Sequence, residues 1–354
     1  MSTAPKDTRA VGSAAAGTGA AAALPPPGAP SLVHRLGRYV RRQAWVTGAW
    51  VLLALILILG VATHPTGFSS FDVQTLVLGS APLAFAAMAQ SVVVISGGID
   101  LSVGAAISVF NVASARLMET ASFPQAIGIS FALMVGGLLL GSMNGILVVV
   151  TRVPDIVVTL ATSFVLSGIA LLILGSPGGG APLEYGNLVL GSVGTDWVPE
   201  GLVVIAAVLV LVWLPLRLSR PGLALYAIGS NRSAAFLSGV RVARTRVLSY
   251  AMAGFFAALG GLALTATTAN GNPVAGSIYT LQSFAAVVLG GVLLSGGRGG
   301  LVGPVVAAFV LTQITSQLSY WQVEPNWAQV IQGAIVVGVV LIGGMAILLR
   351  GRRR

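Results

Sequence analysis

The chain of 354 residues has no cysteine, a single lysine, two histidines and nine acidic residues. Each shortage excludes a class of chemistry. Without cysteine there are no disulfides, no thiolate metal sites and no cysteine nucleophiles. His34 and His64 have no ligand partner nearby in the sequence, so a metal site is not expected. The lysine is Lys6, followed by Asp7, and a GxxxxGK[ST] phosphate loop cannot be built around it. The chain therefore cannot hydrolyse ATP by that route, and any ATP-driven process needs a motor on another polypeptide. The long apolar runs contain no Lys, Glu or His, and Asp100 and Asp155 fall at their ends. Proton pumps and ion-coupled carriers place ionisable groups inside the bundle, so an ATP-independent secondary transporter is the less favoured reading. A membrane-embedded hydrolase or transferase needs a nucleophile with a base or a metal cluster, and the sequence offers neither.

Apolar length is abundant instead. Hydrophobic residues make up 56% of the chain and charged residues only 8%. A span needs roughly 20 mostly apolar residues, and the absence of period-two alternation argues against a β-barrel. The pattern predicts an all-α polytopic membrane protein in a lipid bilayer, with about ten transmembrane helices. These fall near 45–63, 73–95, 101–117, 126–150, 156–175, 201–217, 247–268, 281–296, 300–318 and 328–349. With both termini cytoplasmic, 18 of the 19 basic residues lie on the inner side and only Arg116 lies outside, as the positive-inside rule requires. The net charge of +10 is thus explained by orientation, and nucleic acid is not an expected partner. Residues 1–33 are Ala/Gly/Pro-rich and predict a disordered cytoplasmic tail; residues 34–354 form the membrane domain.

The sequence also repeats. "FAAMAQSVVVISGGIDLSVG" (85–104) and "FAAVVLGGVLLSGGRGGLVG" (284–303) align without gaps, with nine of twenty positions identical. Fixed-offset self-similarity marks a duplicated unit, and membrane transporters commonly carry functional surfaces at repeat interfaces. Each copy has a Ser-Gly-Gly turn, giving Gly97, Gly98 and Asp100 in the first and Gly296, Gly297 and Arg298 in the second. Asp100 and Arg298 are the only charges in these turns, and the expectation is that they face one another.

A basic loop, about 218–246, separates the sixth and seventh spans. In "GSNRSAAFLSGVRVARTR" (229–246), Ser230 or Asn231 is placed to cap a short helix, and Gly239 is placed to stop it in the left-handed conformation. Charge orientation accounts for the arginines. It does not account for the caps or the small Ala234–Ala235 pair, which predict a compact helix made to meet a partner.

Together, "YAIGSNRSAAFLSGVRVARTRVLSYAMAGFFAALGGL", "SGGIDLSVGA" and "AAVVLGGVLLSGGRGGLVGPVVAA" resemble the integral-membrane permease subunit of bacterial ABC importers for monosaccharides of the ribose, xylose and galactose type. The resemblance covers about residues 45–349. Related permeases serve nucleosides or branched-chain amino acids. It implies a multi-pass protein of the bacterial inner membrane with no cofactor of its own, ATP and Mg being bound by the partner. The partners implied are a cytoplasmic ABC ATPase, an extracytoplasmic sugar-binding protein and a second permease chain in a homodimer or close heterodimer. The loop Gly229, Asn231, Arg232, Ala234, Ala235, Ser238 and Gly239 is then the ATPase-coupling element. Ser233 stands where the family usually has an acid, so an ion pair from that position is not expected. The amide-bearing Gln90, Asn111, Asn144 and Gln313 lie within spans and are candidates for lining the solute path.

Overall fold

The computed structural model describes residues 44–63, 69–324 and parts of 326–341. The tail, the basic stretch before residue 44, most of the tenth expected span and the C-terminal arginines lie outside the described residues. Among the described residues up to 324, twelve helices follow one another: α1 (Ala44–Thr63), α2 (Ser70–Ile95), α3 (Val103–Met118), α4 (Phe123–Thr151), α5 (Asp155–Ile173), α6 (Leu183–Leu190), α7 (Glu200–Leu218), α8 (Arg220–Ser230), α9 (Arg232–Leu237), α10 (Val242–Thr268), α11 (Ser277–Leu289) and α12 (Val302–Tyr320). Among the described residues there is no strand, only isolated bridges at Gly178–Gly271 and Ser192–Pro199. Six helices (α2, α4, α5, α7, α10 and α12) are long and apolar enough to cross a membrane, while α1, α3 and α11 are shorter apolar helices. The expectation of a polytopic helical protein holds.

Burial is graded across these helices. The central α2 is 89% buried over its most apolar stretch and α10 78%, against 28% for α4 and α5 and 17% for α7. Composition explains the order. In α2 the buried run Ala84, Phe85, Ala86, Ala87, Met88, Ala89 presents small side chains on all sides, so neighbours can approach from every direction. The outer helices instead expose large apolar residues such as Leu139, Phe164, Leu172 and Leu211, as expected of surfaces that meet lipid rather than protein.

Glycine sets the tightest contact, between α4 and α10. Lipid supplies no hydrophobic drive for helix association, so small residues that let backbones touch take over. Gly137, Gly141 and Gly145 repeat every four residues along α4. A methyl group on Gly141 would lie 2.1 Å from the Tyr250 carbonyl oxygen, and one on Gly254 would lie 2.1 Å from the Gly137 carbonyl oxygen. Elsewhere, α7 carries a π-helical turn at Leu209–Trp213 just before Pro215. Proline cannot donate its backbone bond, and the wider turn absorbs the lost ladder step. Trp213 is buried in that turn.

The repeat is visible in backbone conformation. Helices α3 and α12 begin at Val103 and Val302, the same repeat position, and Gly97 and Gly296, also equivalent, have φ of +80° and +83°. The copies part company before the turn. In the first, α2 runs on to Ile95; in the second, α11 stops at Leu289. There Gly291 takes φ +81° and Val292 N–H donates to the Val287 carbonyl at 3.1 Å, a Schellman termination.

Gly141→Ala is expected to destabilise the detergent-purified protein by about 2 kcal/mol through overpacking. Gly128→Ala on the same helix, where an added methyl meets nothing within 4 Å, is expected to be neutral or slightly stabilising. Thermal unfolding followed by size-exclusion chromatography distinguishes the two.

Candidate coupling junction and solute-path residues

The two repeat turns meet each other, and the last turn of α8 is wedged between them. The Gly297 N–H donates to the Ile95 carbonyl at 2.9 Å. A methyl on Gly229 would lie 2.0 Å from that same carbonyl and 2.5 Å from the Gly297 nitrogen; one on Gly296 would lie 3.0 Å from the Gly97 Cα and 2.9 Å from the Gly229 carbonyl. Beside it, a methyl on Gly297 would lie 2.2 Å from the Ser230 hydroxyl. Three segments far apart in sequence therefore touch backbone to backbone, which only glycine permits. Tyr226, on α8, adds a strap by donating to the Gly299 carbonyl at 2.9 Å. The end of α8 is thus in direct contact with the turns that open α3 and α12.

The helix expected after Asn231 is present and capped at both ends. Asn231 accepts from the Ala234 N–H at 2.9 Å; Ser230 instead closes α8. At the other end Gly239 has φ +81°, and Val240 N–H donates to the Ala235 carbonyl at 3.0 Å. Ser238 turns its hydroxyl back onto the Ala234 carbonyl. Of the alanine pair, Ala235 is buried in the chain while Ala234 is exposed. The outward apolar surface is Phe236 and Leu237, 69% and 84% exposed, flanked by the exposed Arg232.

Around the first turn lies a polar network. Asp100 is buried and accepts from the Ser102 N–H at 2.8 Å and hydroxyl at 2.6 Å. Asn144 on α4 donates to the Ser102 hydroxyl at 2.8 Å. The Tyr250 hydroxyl donates to Asp155 at 2.9 Å and reaches the Ile99 carbonyl at 3.2 Å. Arg246 pairs with the other Asp155 oxygen, Thr159 accepts from the Leu101 N–H, and Ser96 donates to Ser249 at 3.0 Å. Burial raises the Asp100 carboxyl above its ordinary value, with the Ser102 hydrogen bonds opposing.

Asp100 and Arg298 do not pair: Asp100 is satisfied by Ser102, Arg298 is exposed, and among the described residues no ion pair joins them. They sit on either side of the glycine contact, which is what brings their turns together. The four amides divide differently. Asn111 donates to Thr265 and the Asn270 carbonyl and accepts from the Asn272 N–H, so it fastens α3 to the end of α10. Asn144 is likewise engaged by Ser102. Gln313 lies half-buried on α12 near Gly60. Gln90 is fully buried, with neither its amide nitrogen nor its oxygen hydrogen-bonded. Charge orientation does not account for Arg246, whose partner Asp155 is 91 residues away; its i, i+4 spacing to Tyr250 is the one local signal of a shared site.

Asp155→Asn is expected to cost on the order of 3 kcal/mol, since it leaves Arg246 without its partner. Asp100→Asn keeps the acceptor for Ser102 and removes a buried charge, so it is expected to preserve stability. Because the folded-state value of Asp100 is raised, its charge opposes folding at neutral pH, and that cost fades as pH falls through the raised value; Asp100→Asn is expected to flatten this dependence in pH-resolved thermal unfolding.

Comparison with known proteins agrees with this architecture. Residues 73–340 match the family described as branched-chain amino acid transport system / permease component. The ribose import permease protein RbsC of Bacillus subtilis is 31% identical over 299 residues, covering 83% of this chain and 90% of the relative. The RbsC protein of Haemophilus influenzae is 29% identical, covering 87% and 94%. The galactose/methyl galactoside import permease protein MglC of Escherichia coli is 28% identical, covering 84% and 94%. No solved structure matches. With three quarters of its length inside one family model and relatives matched nearly end to end, this chain belongs to the branched-chain amino acid transport system / permease component family and is a multi-pass inner-membrane permease of the ABC-importer type.

Proposed function

We propose that this chain is the membrane subunit of an importer that receives a monosaccharide from an extracytoplasmic binding protein and moves it inward, driven by a separate ATPase. The observation that carries the reading is the wedge of Gly229 between the two repeat turns, immediately before a capped helix with an exposed apolar tip. It connects a docking element to the moving parts in a chain whose near full-length relatives are ribose and galactose permeases. The sole lysine supports an external motor, because this chain has no phosphate loop of its own. The distribution of arginines supports a cytoplasmic position for α9 and for both termini.

The docking face is Phe236 and Leu237 with Arg232 beside them, while Ala235 seats the helix and Asn231 and Gly239 hold its ends. ATP-driven closure of the motor pushes α9, and the Gly229 junction carries the stroke to the first turns of α3 and α12. A second permease chain completes the path. Selectivity for the sugar resides mainly in the binding protein, so the permease needs no tight site.

Phe236→Ser and Leu237→Ser change exposed side chains and are expected to leave membrane insertion intact. In proteoliposomes holding the full complex, they are expected to abolish the increase in ATP hydrolysis caused by loaded binding protein, and sugar uptake with it. Wild-type levels of both in the double variant exclude α9 as the docking element. Uptake of leucine but of no monosaccharide by the wild-type complex excludes the sugar assignment.

A further inference from the structure

A groove of about 340 Å³ runs between α3, α5 and the segment leading into α11. It lies within the range of roughly 300–1,000 Å³ typical of small-molecule sites. Five hydroxyls, from Ser108, Ser163, Ser167, Ser277 and Thr280, line it among apolar walls that include Leu160 and Leu171. The α5 contribution is one helical stripe, since Leu160, Ser163, Ser167 and Leu171 recur at three- and four-residue intervals. The stripe extends about 16 Å along the axis at 1.5 Å per residue, or about half the hydrocarbon thickness.

Ser277 donates to the Val274 carbonyl at 2.7 Å; the other four hydroxyls are poised rather than spent. On α5, Thr159 and Thr162 donate to carbonyls one turn back, at 2.9 and 2.8 Å, the usual way a helix hides a hydroxyl from lipid. Ser163, Ser167 and Thr280 have no hydrogen bond through their hydroxyls among the described residues. Buried Ser108 accepts from the Gly276 N–H at 2.9 Å, and its own proton has no protein acceptor. Unpaired hydroxyls facing hydrocarbon are costly, so this stripe is built to meet something polar. Its wall is stiff: a methyl on Gly104 would lie 2.1 Å from the Thr280 hydroxyl, and one on Gly276 would lie 2.2 Å from the Gly104 carbonyl.

We infer that this groove is the chain's share of the solute path and that it takes an uncharged, polyhydroxylated solute of monosaccharide size. The inference rests on the import reading above and sharpens it. No acidic or basic residue lines the groove, so the ammonium and carboxylate of an amino acid would have no counter-charge there. Hydroxyls that both donate and accept can exchange hydrogen bonds with sugar hydroxyls without holding them tightly, as passage requires.

The absence of cysteine makes single-cysteine probes free of background. In the full complex, reconstituted with its ATPase and binding protein, Ser163→Cys and Ser167→Cys are expected to react with a charged, membrane-impermeant thiosulfonate reagent. The reaction is expected to slow when ribose or galactose, whichever is transported, is in turnover. Ser163→Ala with Thr280→Val is expected to lower sugar uptake roughly three- to tenfold, on the scale of one or two lost hydrogen bonds, while ATP hydrolysis stimulated by loaded binding protein persists. Reaction only with a lipid-soluble maleimide, or unchanged uptake in the double variant, overturns the groove as part of the path. Slowing of the reaction by leucine in turnover, in a complex that carries no sugar, overturns the uncharged-solute class and, separately, the import reading for sugars.

Discussion

Backbone contact through glycine is the constraint on which the rest of the structure depends. Inside a bilayer, apolar side chains gain little by leaving lipid for protein, so association relies on close packing and on hydrogen bonds. Among the places where main chain touches main chain are the α4–α10 seam at Gly137, Gly141 and Gly254, and the junction of Gly97, Gly229, Gly296 and Gly297. The first holds the bundle together. The second joins the two repeat turns to the end of α8 through main-chain contacts.

The polar network around Asp100 and Asp155 follows from that geometry. A turn made by glycine leaves the carbonyls and amides of Ile99, Leu101 and Ser102 without helical partners, and buried backbone groups must find some. Tyr250, Thr159 and Asp100 supply them; Asn144 in turn donates to the Ser102 hydroxyl, and Asp155 takes both Tyr250 and Arg246. The result anchors the first repeat turn to α4, α5 and α10. The second turn, with exposed Arg298 and the strap from Tyr226, is tied instead to α8. One turn is therefore held by the bundle and the other by α8, and the Gly297–Ile95 hydrogen bond joins them.

Much of this was legible in the chain. The repeated Ser-Gly-Gly motif announced two equivalent turns, and Gly97 and Gly296 share their backbone conformation. Asn231 and Gly239 announced a bounded helix. The amides were less informative: Asn111 reads in sequence as a polar residue exposed to a path, whereas the fold supplies Thr265, Asn270 and Asn272 as partners. The serines of α5 carried no distinguishing pattern, because a hydroxyl in an apolar helix normally bonds its own preceding turn, and only the surroundings reveal that Ser163 and Ser167 do not.

By itself the sequence determined the membrane class, the helical architecture, the duplication and the need for an external motor, because these depend on hydropathy, periodicity and the presence or absence of residue types along one dimension. Only the tertiary structure decided that the two repeat turns close on Gly229, that Ser102 rather than Arg298 answers Asp100 while Asp155 answers Arg246, that α9 shows Phe236 and Leu237 outward, and that five hydroxyls from three segments share one groove. Those facts depend on which residues become neighbours across 60 to 200 positions of chain, and short-range pattern holds no record of that distance.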